Sequence, residues 1–324
     1  MLTFIYEEGN IIYANANHMQ MEEKMKKKII SGILAAITSI MLIGCGHSSS
    51  DTKINDNIDD KKLKIMASIY PMKEFAKKIA GDKAEISCMV PDNMEPHDYE
   101  PKTKDFEALT KSDIFIYNGL GVESWVDSVN SVIGDKDICI LDTSEGVDVI
   151  KEGDIIDPHC WLSLKEAQKQ AGNIKDVLVE IDESNKNYYE QNYDQFISEL
   201  EGLYNEYKGK FDGLENKNFV TGHAAFGYLC RDFGLQQKSV EGLLAEGEPT
   251  PKQLEELVLF CKENNIKTIF SESLASPKVS ETLANEIGAK VVPILTLESN
   301  EDGKSYVEAM RYDLEEIYKC LSKE

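Results

Sequence analysis

The feature that most narrows what this chain can fold into is a long run of helical period past its middle. From Tyr189 onward, apolar side chains fall at Tyr193, Phe196, Ile197, Leu200, Leu203, Tyr207, Phe211 and Leu214, mostly three or four residues apart. That spacing lays one apolar stripe along a helix. A helix over 185–214 would span about 45 Å at about 1.5 Å per residue, more than one small domain needs. We read it as a stiff connection between two domains, 63–184 and 215–324.

On both sides of this helix, strand and helix patterns alternate. In the first half, Leu63, Ile65, Ala67 and Ile69 mark a strand, and Pro71 opens a helix to Ala80. Strands at Ala84–Val90, Ile114–Tyr117 and Ile138–Leu141 follow, with helices at Lys102–Thr110 and Glu123–Val132 between them. The acidic segment 142–156 lacks a period and reads as loop, and Leu164–Ile181 as helix. The second half repeats the scheme, with strands at Asn218–Thr221, Gln236–Val240, Thr268–Phe270 and Lys290–Ile294. Pro251 opens one intervening helix, and Ser305–Leu321 forms the last. Alternation of this kind predicts two α/β domains with mostly parallel sheets joined by a long connecting helix. Open α/β sheets bind ligands beyond the carboxyl ends of their strands, so the cleft between the halves is the expected site.

Composition removes some function classes. A formal net charge of -23 opposes nucleic acid, whose phosphates need Lys and Arg, and favours cations near the surface. At the other end of the chain, Met25-Lys26-Lys27-Lys28 precedes an apolar run from Ile29 to Ile43, too short for an ordinary membrane span. Residues 1–45 thus read as a signal peptide, with the true start read at Met25 and Met21 as the alternative. Its end, Leu42-Ile43-Gly44-Cys45, resembles the lipobox of bacterial lipoproteins, in which the Cys is acylated and anchors the protein to the outer face of the membrane. Residues 46–62, polar and without period, read as a flexible tether. The six remaining Cys form no CxxC pair, and nothing in their spacing assigns disulfides.

Three of the five His occupy similar settings. His97 follows the second strand, in a loop held extended by Pro91, Pro96 and Pro101. His223 follows the first strand of the second half. His159 stands in Asp157-Pro158-His159-Cys160-Trp161-Leu162, where the Pro fixes the backbone and the Trp and Leu can bury themselves. Any one of them also reads as a loop residue that caps or hydrogen-bonds. Together they offer three imidazoles from both halves, and imidazole suits zinc. A fourth ligand would be a carboxylate or water, with Glu272 and Glu298 both following strand ends. No compact HExxH signature is present. Asp232 and Arg231 read as helix surface.

In order along the chain, the lipobox, Pro96-His97-Asp98-Tyr99-Glu100-Pro101, the Asp157–Leu162 stretch, His223-Ala224-Ala225-Phe226-Gly227-Tyr228, Glu248–Leu254 and Phe270–Ser273 resemble the zinc/manganese-binding lipoproteins of ABC transporters. The resemblance covers nearly all of 63–324. It implies one metal ion in the cleft, with His97, His159 and His223 as ligands, Glu298 as the fourth, and Glu272 behind them or as an alternative ligand. Manganese-binding members place a carboxylate where His223 stands. Three imidazoles and one carboxylate favour Zn2+ over Mn2+, which prefers harder oxygen ligands. The resemblance further implies a monomeric, extracytoplasmic receptor, not an enzyme, that hands its metal to a membrane permease driven by a separate ATPase. Surface adhesion stands as the rival reading. Neutral imidazoles are needed for ligation, so binding is expected to weaken as pH falls.

Overall fold

The computed structural model describes residues 5–7, 10–12, 62–243, 250–272, 277–300 and 303–323. Ile5–Glu7 pairs antiparallel with Asn10–Ile12 inside a unit spanning Met1–Ile58. The apolar run expected to be a leader, Cys45 and the expected tether up to residue 61 lie outside the described residues. The remainder belongs to a second unit, Asp59–Glu324.

In that unit the first half runs β1 (Leu63–Ala67), α1 (Tyr70–Ala80), β2 (Ala84–Cys88), α2 (Thr103–Leu109), β3 (Ile114–Tyr117), α3 (Val126–Ile133) and β4 (Cys139–Asp142). A two-residue hairpin, β5 (Lys151–Glu152) with β6 (Ile155–Ile156), lies in the acidic segment expected to be loop. Helix α4 (Leu164–Ile181) and the long α5 (Lys186–Asp212) follow. The second half runs β7 (Asn218–Thr221), α6 (Gly227–Phe233), β8 (Gln236–Ser239), α7 (Pro251–Glu263), β9 (Thr268–Glu272), α8 (Pro277–Ile287), β10 (Lys290–Ile294) and α9 (Tyr306–Leu321).

Both four-stranded sheets are parallel, in the orders β2-β1-β3-β4 and β8-β7-β9-β10. Each half therefore has the same 2-1-3-4 strand order. Local chemistry sets the helix ends. Pro71 sits in the first turn of α1, and Ser163 caps α4 by accepting from the backbone N–H of Lys165 (3.2 Å) and Glu166 (3.0 Å). Thr250 and Gln253 form a reciprocal capping box at α7.

The long helix keeps 27 residues, about 40 Å at about 1.5 Å per residue. Its buried stripe, Tyr189, Phe196, Leu200, Leu203, Tyr207 and Phe211, packs on α1 and α4 of the first half and on α6 and α9 of the second. Phe196 meets Phe75 at 5.6 Å between ring centroids, and Phe211 meets Phe233 at 5.1 Å. The helix is thus an internal member of a core that runs unbroken through both halves, beyond the simple rod its period suggests. The last helix returns to the first half. Tyr306 packs edge-on to Phe75 at 4.7 Å, and its hydroxyl donates to the Trp161 carbonyl at 2.5 Å. A smaller cluster, including Val220, Leu257, Ile269 and Leu283, is separate from this core.

Phe75 stands at the point where α1, α5 and α9 meet, with no exposed surface. Phe75→Ala is expected to cost about 3–5 kcal/mol, the lost transfer energy plus the cavity left behind. Urea titration should show the midpoint falling while the transition stays single. Two separate transitions would contradict a shared core.

Arg231 is exposed on its helix as expected, but Asp232 is not helix surface. Asp232 is buried and accepts from the Ser163 hydroxyl at 2.7 Å, while Arg231 pairs with Glu166 at 2.5 Å. Helix α6 has seven residues, too few for a period to reveal which sides are covered.

Candidate metal centre

His97, His159 and His223 converge. Each offers a ring nitrogen lying within 4.8 Å of the others, at the carboxyl ends of the strands where the two halves face one another. His97 Nε2 and His159 Nε2 stand 3.2 Å apart. Two nitrogens bound tetrahedrally to one zinc at about 2.0–2.1 Å would be separated by about 3.4 Å, so the pair is close to one edge of that figure.

His159 is the most firmly placed. Asp157 Oδ1 accepts both its backbone N–H (3.0 Å) and its ring Nδ1–H (2.8 Å), which turns Nε2 toward His97. A carboxylate behind a ligating imidazole fixes tautomer and orientation. The Tyr228 hydroxyl donates to the Asp157 carbonyl at 2.7 Å, and a Cβ on Gly227 would lie 2.7 Å from Asp157 Oδ2, so only glycine fits there. Buried Asn118, at the end of β3, donates from Nδ2 to the Pro158 carbonyl at 3.0 Å. The backbone N–H groups of Asn118 and Gly119 are in turn held by buried Glu123 at 2.9 and 3.1 Å. Burial pushes the Glu123 carboxyl up to about 7.

Glu298 reaches the same place from the second half. Leu297, at φ 57°, turns the chain through the left-handed region just before it. The Trp161 indole donates to the Thr296 carbonyl at 2.8 Å, and the Thr296 hydroxyl donates to Glu298 Oε2 at 2.8 Å. Two steps of hydrogen bonding therefore tie the His159 turn to Glu298. Its Oε1 lies 3.5 Å from His159 Nε2 and 3.8 Å from His97 Nε2.

His223 follows β7. Its backbone N–H donates to Glu272 Oε1 at 3.0 Å, and its Nε2–H to the Leu243 carbonyl at 3.0 Å, which leaves Nδ1 as the free lone pair. Glu272 thus sits behind the His223 backbone, outside the groups that face one another. A Cβ on Gly222 would come 2.4 Å from Glu272 Oε2. Burial pushes Glu272 up to about 8.

The charges divide unevenly among the three imidazoles. Burial, then the charge of His159, pulls His97 down to about 4, and the same two causes lower His223. Burial also pulls at His159, but its bonds to Asp157 and Glu298 raise it to about 9. Burial opposes ionisation of Glu298, and the hydrogen bond and charge of His159 overcome this and hold it well below the usual carboxylate range. In the metal-free centre these shifts favour a proton on His159, which lies between two carboxylates, and neutral rings on His97 and His223.

The four candidate ligands, His97, His159, His223 and Glu298, come together in the structure, and Glu272, expected behind them or as an alternative ligand, lies behind His223. The sequence alone assigns no role to Asp157, Asn118 or Glu95. Asp157 could have been found, since a carboxylate two residues before a His, with Pro between, can reach that ring. Glu95 lies two residues before His97 in the same loop, and its carboxylate clusters with His97 and Glu298.

Asp157→Asn keeps the size of the side chain but weakens the hold on His159. A drop in zinc affinity of about 10–100-fold is expected, the usual cost of losing an outer partner of a metal-bound imidazole. Chelator competition measures it, and unchanged affinity would show that Asp157 does not position the ring.

The described family of the zinc-uptake complex component A, periplasmic, matches residues 65–320. A high-affinity zinc uptake system protein of Bacillus subtilis is 35% identical over 317 residues, covering 92% of this chain and 99% of that protein. A putative metal-binding protein of Treponema pallidum is 36% identical over 308 residues, covering 90% of this chain and 97% of its own. Among solved structures, the laminin-binding protein of Streptococcus agalactiae, described as bifunctional with adhesin and metal transporting activity, superposes with a TM-score of 0.77 at 33% identity. That match covers 81% of this chain and 100% of the other.

Proposed function

The chain belongs to the zinc-uptake complex component A family, and on that premise we propose that it captures one Zn2+ between His97, His159, His223 and Glu298 and delivers it to the permease of an ABC transporter. It is an extracytoplasmic receptor and catalyses nothing. The observation that carries the ligand set is the convergence of three buried or nearly buried imidazoles with a buried carboxylate, the His97 and His159 nitrogens 3.2 Å apart. Three nitrogens and one oxygen suit zinc, whereas manganese takes harder oxygen donors.

In this reading, residues 1–45 are the leader, acyl chains on Cys45 hold the protein to the membrane, and 46–62 are the tether. Two α/β halves, 63–184 and 215–324, share the helix at 185–214, and the protein works as a monomer alongside a permease and a separate ATPase. The test is competitive titration of the chain from residue 46 onward with Zn2+ and Mn2+. One tightly held zinc per chain that manganese does not displace is the expected result. No stoichiometric metal would sink the receptor reading, and a manganese preference would overturn the choice of cargo.

The Streptococcus agalactiae protein gives surface adhesion a place as a second reading. Adhesion needs no metal cleft, so His97→Ala would leave it intact while weakening zinc binding.

A further inference from the structure

Beside the imidazole cluster stands a second set of donors, nearer the surface. A carboxylate oxygen of Glu95, a ring nitrogen of His97 and a carboxylate oxygen of Glu298 lie within 4.8 Å of one another. His97 stands in both groups. Glu95 is half-buried, Glu298 is 1% exposed and His159 is not exposed at all, so the donors form a sequence from the surface inward.

Two observations separate this from a chance meeting of acids. Buried Glu298 Oε1 has no donor closer than the His159 ring at 3.5 Å and the His97 ring at 3.8 Å, and a carboxylate oxygen so placed gains from a cation that meets it directly. The loop that carries Glu95 is also fixed against the turn that carries Glu298. The Asn93 N–H donates to the Ser299 hydroxyl oxygen at 2.5 Å, and the His97 N–H donates to Glu95 Oε1 at 3.3 Å.

We propose that Glu95, His97 and Glu298 form an outer cation subsite, two carboxylates and one imidazole, which receives a partly hydrated divalent ion before it moves inward. The proposal rests on the inner cluster being the zinc site. An ion passing from one group to the other keeps His97 and Glu298 throughout and exchanges Glu95 and water for His159 and His223. It is never without protein ligands, and the desolvation of a divalent cation is spread over two steps. The two groups also differ in chemistry. The outer one is rich in oxygen and suits Mn2+, while the inner one is rich in nitrogen and draws Zn2+ onward.

Glu95→Gln removes the acidic oxygen donor that a cation would engage and keeps the shape. Stopped-flow measurement of zinc association should show loading slowed about tenfold or more, because the entering ion loses the carboxylate donor it would meet first. One zinc per chain should still bind at saturation, and an unchanged melting temperature of the metal-free variant would report an intact fold. In His159→Ala, where the inner group is broken, Mn2+ should still bind weakly by electron paramagnetic resonance, and adding Glu95→Gln should abolish it. Zinc loading of Glu95→Gln at the wild-type rate overturns the proposal, as does Mn2+ retention in the double variant. Failure of the receptor reading is distinct, because then the wild-type chain itself holds no zinc.

Discussion

His159→Ala is expected to cut zinc affinity by about two to three orders of magnitude, since a four-ligand zinc site is worth about 10–16 kcal/mol and one ligand in four carries about 3–4 kcal/mol. His159 is the hub of the cluster. Its Nε2 faces both His97 (3.2 Å) and Glu298 (3.5 Å), and its other nitrogen is anchored on Asp157. The substitution also leaves Asp157 and Glu298 buried with less compensation, costing the metal-free protein about 1–3 kcal/mol. Chelator competition and thermal melting would be read together. A variant that melts normally and still binds zinc at wild-type strength would show that the metal sits elsewhere.

Zinc uptake at neutral pH should expel at least one proton from the centre. His159, raised to about 9, is protonated at pH 7, whereas His97 at about 4 and the lowered His223 are already neutral. The sign follows directly. A metal that needs neutral His159 competes with its proton everywhere below about 9, so apparent affinity should climb about tenfold per pH unit between about 5 and 9 and then level off. Near pH 4 the proton on His97 joins and the slope steepens. Three imidazoles of ordinary pKa would instead give affinity nearly flat above about 6.5. The metal-free fold carries the complementary signature. Stability from His159 is complete below its unfolded pKa of about 6.5 and is lost as pH rises through about 9. Calorimetry in buffers of different ionisation heat counts the protons, and a count near zero at pH 7 would remove the imidazolium from the metal-free centre.

Much of this architecture is legible in the chain because two periodicities carry it. Alternation placed the strands Ile114–Tyr117, Asn218–Thr221 and Lys290–Ile294 at their observed bounds, and helical spacing placed Leu164–Ile181. What periodicity cannot reveal is the partner of an apolar stripe. The stripe on the long helix is plain, but that Phe196 lies against Phe75 and Phe211 against Phe233 depends on contacts between distant segments. The same limit hid the link from Trp161 through Thr296 to Glu298, which joins residues 135 apart in its first step. The ligand candidates were visible because each is a scarce residue type at a strand end or in a Pro-held turn. Their unequal charges were not, because a His pKa is set by burial and by carboxylates brought in from other segments.

The unbroken core has a consequence for how a membrane partner would tell a filled receptor from an unfilled one. Phe75, Phe196 and Tyr306, from three separate parts of the chain, interlock in the shared core. Close-packed interiors transmit strain and resist deformation, so a wide swing of one half against the other would require tearing this contact open. The outline of the receptor is then nearly the same with and without cargo. What can still differ between the two states lies at the rim, where the loop from Pro91 to Pro101 is tied to the turn at Glu298 and Ser299 by a hydrogen bond from Asn93.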